Sequence, residues 1–70
     1  MNYSTAFSLC SAPANVDDET LLDATVRVLA EVRTSKISTT TDRALRAARR
    51  VKETNARIYW QAREIAEAQR

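Results

Sequence analysis

The stretch STTTDRALRAARRVK, residues 38–52, decides the fold class because it has the pattern of a helix with two different faces. Its apolar side chains recur at helical spacing among five Lys/Arg side chains and one acid. The apolar face consists of Ala44, Leu45, Ala47, Ala48 and Val51. Because strong helix formers dominate, we predict an all-α chain with one mid-length helix followed by one long basic helix.

The predicted long helix has a clear start and no stop signal. Thr39 is a good N-cap residue, and Asp42 follows it at the spacing of a capping box. From Thr41 to about Gln69 neither proline nor glycine interrupts the pattern. The weakest point is the segment Glu-Thr-Asn at residues 53–55, where a break into two helices is the alternative to a single rod.

An N-terminal arm and a first helix precede this long helix. Residues 1–16 are predicted as a flexible arm that docks on the helices. Over residues 3–10 larger and smaller side chains alternate with the period of a strand, so a short strand that pairs with another protein is the alternative. Asp17 is a good N-cap, and the apolar face that follows predicts a helix through Arg33. Residues 17–70 then form a single helical domain, as a helical hairpin or a small bundle.

The composition excludes several classes of protein. Seventy residues form one domain at most, and 44% apolar with 29% charged residues is unlike a disordered chain. Without any glycine the chain cannot readily form a phosphate-binding loop of the P-loop or dinucleotide-binding type. A single cysteine excludes an internal disulfide and suits the reducing cytoplasm. No apolar run approaches the ~18 residues that a membrane span needs, so we expect no membrane partner.

No residue pattern indicates catalysis. The chain has no histidine, which is the commonest general base and metal ligand. Cys10 has no basic neighbour in the sequence that would lower its pKa. Asp17, Asp18, Glu19 and Asp23 are explained by the start of a helix, where carboxylates are stabilised by the helix dipole. We therefore expect no enzymatic activity, no cofactor, no metal and no small-molecule substrate.

The positive charge is concentrated in the second half of the chain. Residues 39–70 contain eight Lys/Arg and four Asp/Glu, a net charge of +4. On a helix Arg43, Arg46 and Arg50 share one side, and Arg57 would continue that line one heptad later. Arginine binds phosphate oxygens in a bidentate manner, and a helix start adds hydroxyl and N–H donors. The candidate nucleic-acid-binding residues are Thr39, Thr40, Arg43, Arg46, Arg49, Arg50, Lys52 and Arg57. The alternative is a solvated basic face without a ligand.

Parts of this pattern resemble two families of DNA-binding proteins. ISTTTDRALRAARR, residues 37–50, is similar to the recognition helix of helix-turn-helix repressors. The order of predicted elements over residues 3–50 is similar to that of ribbon-helix-helix proteins. However, the turn at residues 33–36 lacks the glycine usual in the first family, and Thr41 and Asp42 stand where the second family buries aliphatic side chains. We therefore assign the chain to neither family.

The C-terminal segment contains a candidate surface for a protein partner. Trp60 points about 160° away from Ile58 on a helix, so we expect a largely exposed tryptophan among charged neighbours. Such a residue is a candidate binding hot spot. The alternative is that Trp60 covers the arm or the end of the first helix. The candidate protein-contacting residues are Phe7, Tyr59, Trp60 and Arg63.

An apolar stripe on the long helix predicts a homo-oligomer. Its positions follow one another at alternating steps of four and three residues, as in a heptad repeat. The stripe consists of Val51, Asn55, Ile58, Ala62 and Ile65. A single long helix would extend about 19 Å beyond the first helix and leave this stripe uncovered. Pairing with a second copy would cover it, with Asn55 fixing the register.

For function, these surfaces favour a small non-enzymatic regulator that acts on transcription through nucleic acid bound at the basic face. Length and composition suit the accessory proteins of phages and plasmids. One alternative is a protein-binding inhibitor or adaptor that docks on a larger protein, such as the transcription machinery, through its helices or its arm. Another is a subunit of a larger assembly in which the arm adds a strand to a neighbour.

Overall fold

The computed structural model describes residues 1–69, which form four α-helices and one short 3-10 helix. The α-helices are α1 (Tyr3–Ser11), α2 (Asp18–Thr34), α3 (Ser38–Thr54) and α4 (Ala56–Ala68), and the 3-10 helix Pro13–Asn15 connects α1 to α2. The described part of the chain contains no strand, so the prediction of an all-α protein is confirmed. None of its helices has the length and apolar character required to cross a bilayer.

The N-terminal segment forms a helix, and the predictions of a flexible arm or a strand were wrong for these residues. Asn2 caps α1 through a side-chain hydrogen bond to the backbone. Ala6 and Cys10 are fully buried one turn apart, while Tyr3 and Phe7 pack beside the core. These four positions follow the spacing i, i+3, i+4 and i+7, which is a helical pattern hidden beneath the period-two alternation. A strand added to a neighbouring protein therefore has no basis in this segment.

Helix α2 is the centre of the bundle. It begins where the sequence predicts, because the side chain of Asp17 accepts a hydrogen bond from the N–H of Thr20 at 3.2 Å. Hydrogen bonding with Thr20 also lowers the pKa of Asp17 from its ordinary value. Helix α2 contacts all three other α-helices, and α3 contacts both α1 and α4. The α2–α3 hairpin is consequently flanked by α1 on one side and α4 on the other.

Small side chains dominate the core, which lets the helices approach one another closely. The central cluster comprises Ala6, Cys10, Leu21, Ala24, Val28, Ala44, Ala47, Ala48, Val51 and Ile58. Its one buried polar side chain among the described residues, Thr25, donates a hydrogen bond from Oγ1 to the carbonyl oxygen of Leu21 at 2.7 Å. The sulfur of Cys10 lies 3.7 Å from the same hydroxyl. The core thus buries this hydroxyl with a hydrogen-bond partner, as stability requires.

The predicted long helix is two helices, separated at Asn55. This residue adopts φ −149° and ψ 80°, which ends α3, and its side chain accepts a hydrogen bond from the N–H of Ile58 at 3.4 Å, which caps α4. Its amide also donates to Oδ1 of Asp18 at 3.3 Å, and Arg57 contacts Oδ2 of the same carboxylate at 2.8 Å. The structure therefore shows the break, which the sequence left open as the alternative, and not the rod.

The start of α3 also differs from its prediction. Ile37 is the N-cap residue, and no side chain caps the helix, so the capping box of Thr39 and Asp42 is not formed. Instead, the hydroxyl of Thr41 donates to the carbonyl oxygen of Ile37 at 3.2 Å. The hydroxyl of Ser35 accepts a hydrogen bond from the N–H of Ile37 at 3.2 Å and shapes the preceding turn. This turn places Thr39 inside the first turn of the helix rather than before it.

The stripe assigned to an oligomer interface is mostly covered by the chain itself. Val51 is buried on the core face of α3, and Ile58 and Ala62 are buried because the break folds α4 back onto α2. Ile65 is half-buried, and Asn55 serves as the helix cap instead of a register-fixing residue. The unpartnered stripe was the reason for expecting a homo-oligomer, and that reason no longer holds. The oligomeric state itself stays a prediction.

Two isoleucines provide a matched test of this packing. Ile58 is 2% exposed and Ile37 is 62% exposed. We expect Ile58→Ala to lower the free energy of unfolding by about 2–5 kcal/mol, because it removes buried methyl groups and leaves a cavity. Ile37→Ala should change it by less than about 0.5 kcal/mol. Urea unfolding followed by circular dichroism measures both, and equal losses would contradict the bundle.

Candidate nucleic-acid interface

Three arginines of α3 line one wall of a groove between α1 and α3. The groove has a volume of about 300 Å³ and is lined by Phe7 and Ser11 of α1 and by Arg43, Arg46, Ala47 and Arg50 of α3. Its lining contains no acidic residue. Because one wall is a helix that was predicted as an arm, the sequence indicated the arginine row but not the groove.

The arginines share one side of α3 because of their spacing. At about 100° per residue, positions i, i+3 and i+7 lie within about 60° of one another around the helix axis. The buried face of the same helix consists of Ala44, Ala47, Ala48 and Val51. Arg43, Arg46 and Arg50 are exposed, and none of them forms an ion pair with a carboxylate of residues 1–69. Their positive charge is therefore not neutralised within this part of the chain.

One of the three arginines is held in place by the end of α1. Nη1 of Arg50 donates a hydrogen bond to the carbonyl oxygen of Ser11 at 3.1 Å. The last carbonyl groups of a helix lack partners inside the helix and carry partial negative charge, so a guanidinium is favoured there. A guanidinium has five N–H donors, and this contact uses one of them. Arg50 is thus oriented toward the groove and retains donors for a ligand.

The threonines predicted to bind nucleic acid lie at one end of this surface. Thr39 is exposed, one turn before Arg43 and on the same side of α3. Thr40 is half-buried and turned toward the core side of the helix. Neither lines the groove itself. Of the two hydroxyls, that of Thr39 is therefore better placed to extend the arginine row.

The other predicted nucleic-acid-binding residues lie outside the groove. Neither Arg49 nor Lys52 lines the groove, and Lys52 lies beside the two aromatic rings of α4. Arg57 does not continue the arginine row, because the chain turns at Asn55 before reaching it, and it forms an ion pair with Asp18 instead. The structure therefore brings three of the predicted arginines to the groove and leaves these three cations outside its lining.

The aromatic pair of α4 lies on the surface next to the end of α3. Trp60 is 50% exposed and contacts Tyr59 edge to face, with ring centroids 5.1 Å apart. Nζ of Lys52 lies 5.1 Å from the centre of the Trp60 ring, and Cζ of Arg63 lies 5.4 Å from it. Such contacts hold the tryptophan by cation–π attraction while leaving half of it in water. Phe7 lines the arginine groove, so the predicted protein-contacting residues do not form one surface.

The two buried reactive groups of α1 are not activated. Burial raises the pKa of the Cys10 thiol, which disfavours the nucleophilic thiolate. Burial likewise raises the pKa of the Tyr3 hydroxyl, which has no hydrogen-bond partner among the described residues. In the same part of the chain, no group of three or more His, Cys, Asp or Glu side chains is arranged to hold a metal ion.

No protein-family model matches the chain, and neither a curated protein nor a solved structure is significantly similar to it. An assignment of function therefore depends on the geometry and charge of the surfaces described above. Of these surfaces, the arginine groove has the most clearly defined chemistry, because its cations converge and its lining contains no acid.

The burial of Cys10 makes the docking of α1 measurable. We expect a thiol reagent at pH 8 to label the native protein at least about 100-fold more slowly than the unfolded protein, because labelling requires α1 to open. The raised pKa of the thiol acts in the same direction. Labelling in guanidinium chloride provides the reference rate. Equal rates in the native and unfolded protein would show that the segment is the flexible arm indicated by the sequence.

Proposed function

We propose that the protein is a small non-enzymatic regulator of the reducing cytoplasm that binds nucleic acid at the arginine groove and acts there on transcription. The observation that carries this proposal is the convergence of Arg43, Arg46 and Arg50 on one groove without a carboxylate in its lining. A concave cationic surface concentrates positive potential and attracts a polyanion. The concentration of positive charge in residues 39–70 supports the same interpretation.

The length of the arginine row suits a phosphate backbone. The seven residue-to-residue steps from Arg43 to Arg50 correspond to about 10 Å along α3. One strand of a duplex presents a phosphate about every 3.4 Å of axis, so the row spans about three phosphates. Each guanidinium can bind two oxygens of a phosphate at once. Thr39, one turn further along, would add a hydroxyl donor to the next phosphate.

This mode of binding fixes position rather than reading sequence. Phosphate contacts carry no direct sequence information, whereas base-edge contacts do. The lining of the groove contains no Asn or Gln, the amide side chains that recognise adenine edges. Arginine can also read guanine, but the spacing of these three along one helix matches successive backbone phosphates. The proposal is therefore a backbone contact with strong dependence on salt. Any target preference would come from a partner protein or from the shape of the nucleic acid.

Two triple variants with the same change in net charge test the proposal. The first replaces Arg43, Arg46 and Arg50 with Gln, and the control replaces Arg49, Arg57 and Arg63 with Gln. We expect the first to weaken binding to a fluorescent duplex and to make the log–log salt slope shallower by about 0.9 per lost contact. The control should retain most of the affinity and slope. Fluorescence anisotropy between ~50 and 200 mM salt measures both, with helicity checked by circular dichroism.

Two results would reject this function. One is the absence of binding by the unaltered protein to duplex DNA, single-stranded DNA and RNA at about 50 mM salt, where phosphate contacts are strongest. The other is an equal loss in both triple variants, because binding would then follow net charge and not the groove. A preference among the three nucleic acids would identify the target class without changing the role of the groove.

A further inference from the structure

A second concave surface lies on the opposite flank of α3, where α2, α3 and α4 meet. This crevice has a volume of about 340 Å³, and its apolar walls are formed by Leu29 and Val32 of α2, Leu45 of α3 and Tyr59 of α4. Around the axis of α3, Leu45 points about 130° away from the mean direction of the three groove arginines. The crevice and the arginine groove are therefore separate surfaces.

One large apolar side chain in the crevice and another on the neighbouring surface are in contact with water. Leu45 is 48% exposed at its edge, and Trp60 is 50% exposed beside the crevice-lining Tyr59. Burying such side chains against a partner would recover a hydrophobic contribution that the isolated chain forgoes. Clustered exposed apolar groups next to a concavity are typical of a protein interface. Ile37, although 62% exposed, does not line the crevice.

Cations without a carboxylate partner surround this apolar surface. Arg33 lines the crevice, and its Nη1 donates to the neutral carbonyl oxygen of Ala66 at 2.7 Å. Lys52 lies with its ammonium 5.7 Å from the ring centre of Tyr59, and Arg49 follows Leu45 by one turn on α3. None of these three cations belongs to an ion pair within residues 1–69.

The acidic side chain in the lining does not reverse this charge. Glu67 accepts a hydrogen bond at Oε1 from Nε of Arg63 at 3.2 Å, and both side chains line the crevice. Their charges compensate each other. The three unpaired cations outnumber Asp42, the exposed acid one turn before Leu45, so the surroundings of the apolar walls keep a net positive charge. Charge complementarity therefore selects an acidic occupant and disfavours a second copy of the same basic crevice.

We propose that this crevice binds an acidic amphipathic helix of a partner protein. Its apolar side chains would enter between α2 and α4 and cover Leu45, in the manner of a helix laid into a groove. Its carboxylates would face Arg33, Arg49 and Lys52, which adds specificity and speeds association. Because the arginine groove is on the other flank of α3, nucleic acid and the acidic helix can be held at the same time.

A synthetic peptide of about four helical turns is the probe. Its Leu residues follow the helical spacing i, i+3, i+4 and i+7 along the peptide, and every other position is Glu. One control peptide has the same composition in scrambled order, and the other replaces each Glu with Lys. We expect both controls to bind at least about 10-fold more weakly, because the apolar spacing and the negative charge each contribute. Fluorescence anisotropy of labelled peptides measures affinity, and the emission of Trp60 should shift to the blue with the unlabelled acidic peptide.

Matched variants locate the binding surface. Leu45→Asp should lower affinity for the acidic peptide about 10-fold or more, because it places a charge at the apolar wall. Ile37→Asp makes the same chemical change at an exposed isoleucine outside the crevice and should alter the affinity by less than about 2-fold, since Asp is also a good N-cap residue. If Leu45→Asp loses helicity, the exposed pair Arg49→Gln and Lys52→Gln tests the same surface. That pair should weaken binding of the acidic peptide and not of the basic one.

Four results would overturn this proposal. The first two are that the acidic peptide does not bind, or that either control peptide binds equally well. The third is that Leu45→Asp and Ile37→Asp change the affinity equally. The fourth is that the protein sediments as a dimer that Leu45→Asp converts to a monomer. The last would identify a second copy as the occupant. The variant with Arg43, Arg46 and Arg50 replaced by Gln should still bind the peptide, and Leu45→Asp should still bind nucleic acid. Failure of this inference is therefore distinguishable from failure of the proposed function.

Discussion

The architecture depends on the change of direction at Asn55. A continuous helix over residues 41–69 would leave Ile58 and Ala62 without neighbours in the same chain. Because Asn55 leaves helical geometry and caps α4, these side chains turn back onto α2 and are buried. The amide of the same residue bonds to Asp18, at the start of α2, so the corner is also attached to the centre of the bundle. A chain of 70 residues can cover a core of its own only because of this reversal.

The same reversal creates one of the two concave surfaces, the crevice, because α4 forms one of its walls. It brings Lys52, in the last turn of α3, against Tyr59 and Trp60, in the first turns of α4. It also forms the crevice beside Leu45, since α4 packs on α2 and leaves the side of α3 that carries Leu45 uncovered. On the other flank, α1 packs over the alanine face and supplies the second wall of the arginine groove. The two concave surfaces are therefore consequences of how neighbouring helices flank α3.

The sequence predicted the helical class, the start of α2 and the arginine row, because these depend on local patterns. Asp is a favoured N-cap residue, so Asp17 indicates a helix start from local sequence alone. Residues at i, i+3 and i+7 share one side of any helix. The identity of α1 was missed, because Ala6 and Cys10 are small and their helical spacing is visible only once they are known to be buried. Asn is a good N-cap residue, and the cap of Asn55 on Ile58 is local, so the sequence could offer the break as an alternative. The contacts of Asn55 and Arg57 with Asp18 span 37 and 39 positions, and no local pattern contains them. Arg57 was placed in the arginine row because that prediction assumed an unbroken helix.

Helix α3 has three distinct faces, because its small apolar residues and its arginines each recur at helical spacing. Alanine at positions 44, 47 and 48 lets α3 lie close to its neighbours without long side chains in between. The long side chains are consequently all directed outward, with arginines toward α1 and Leu45 with its neighbouring cations toward α4. Because both surfaces include residues of the same helix, the geometry of α3 sets the angle between them. Rigid separation of two binding surfaces is what a protein needs in order to place one partner at a defined position relative to another. Taken together, the two proposals describe a connecting role, in which the arginine groove would hold nucleic acid and the apolar crevice would select the protein partner.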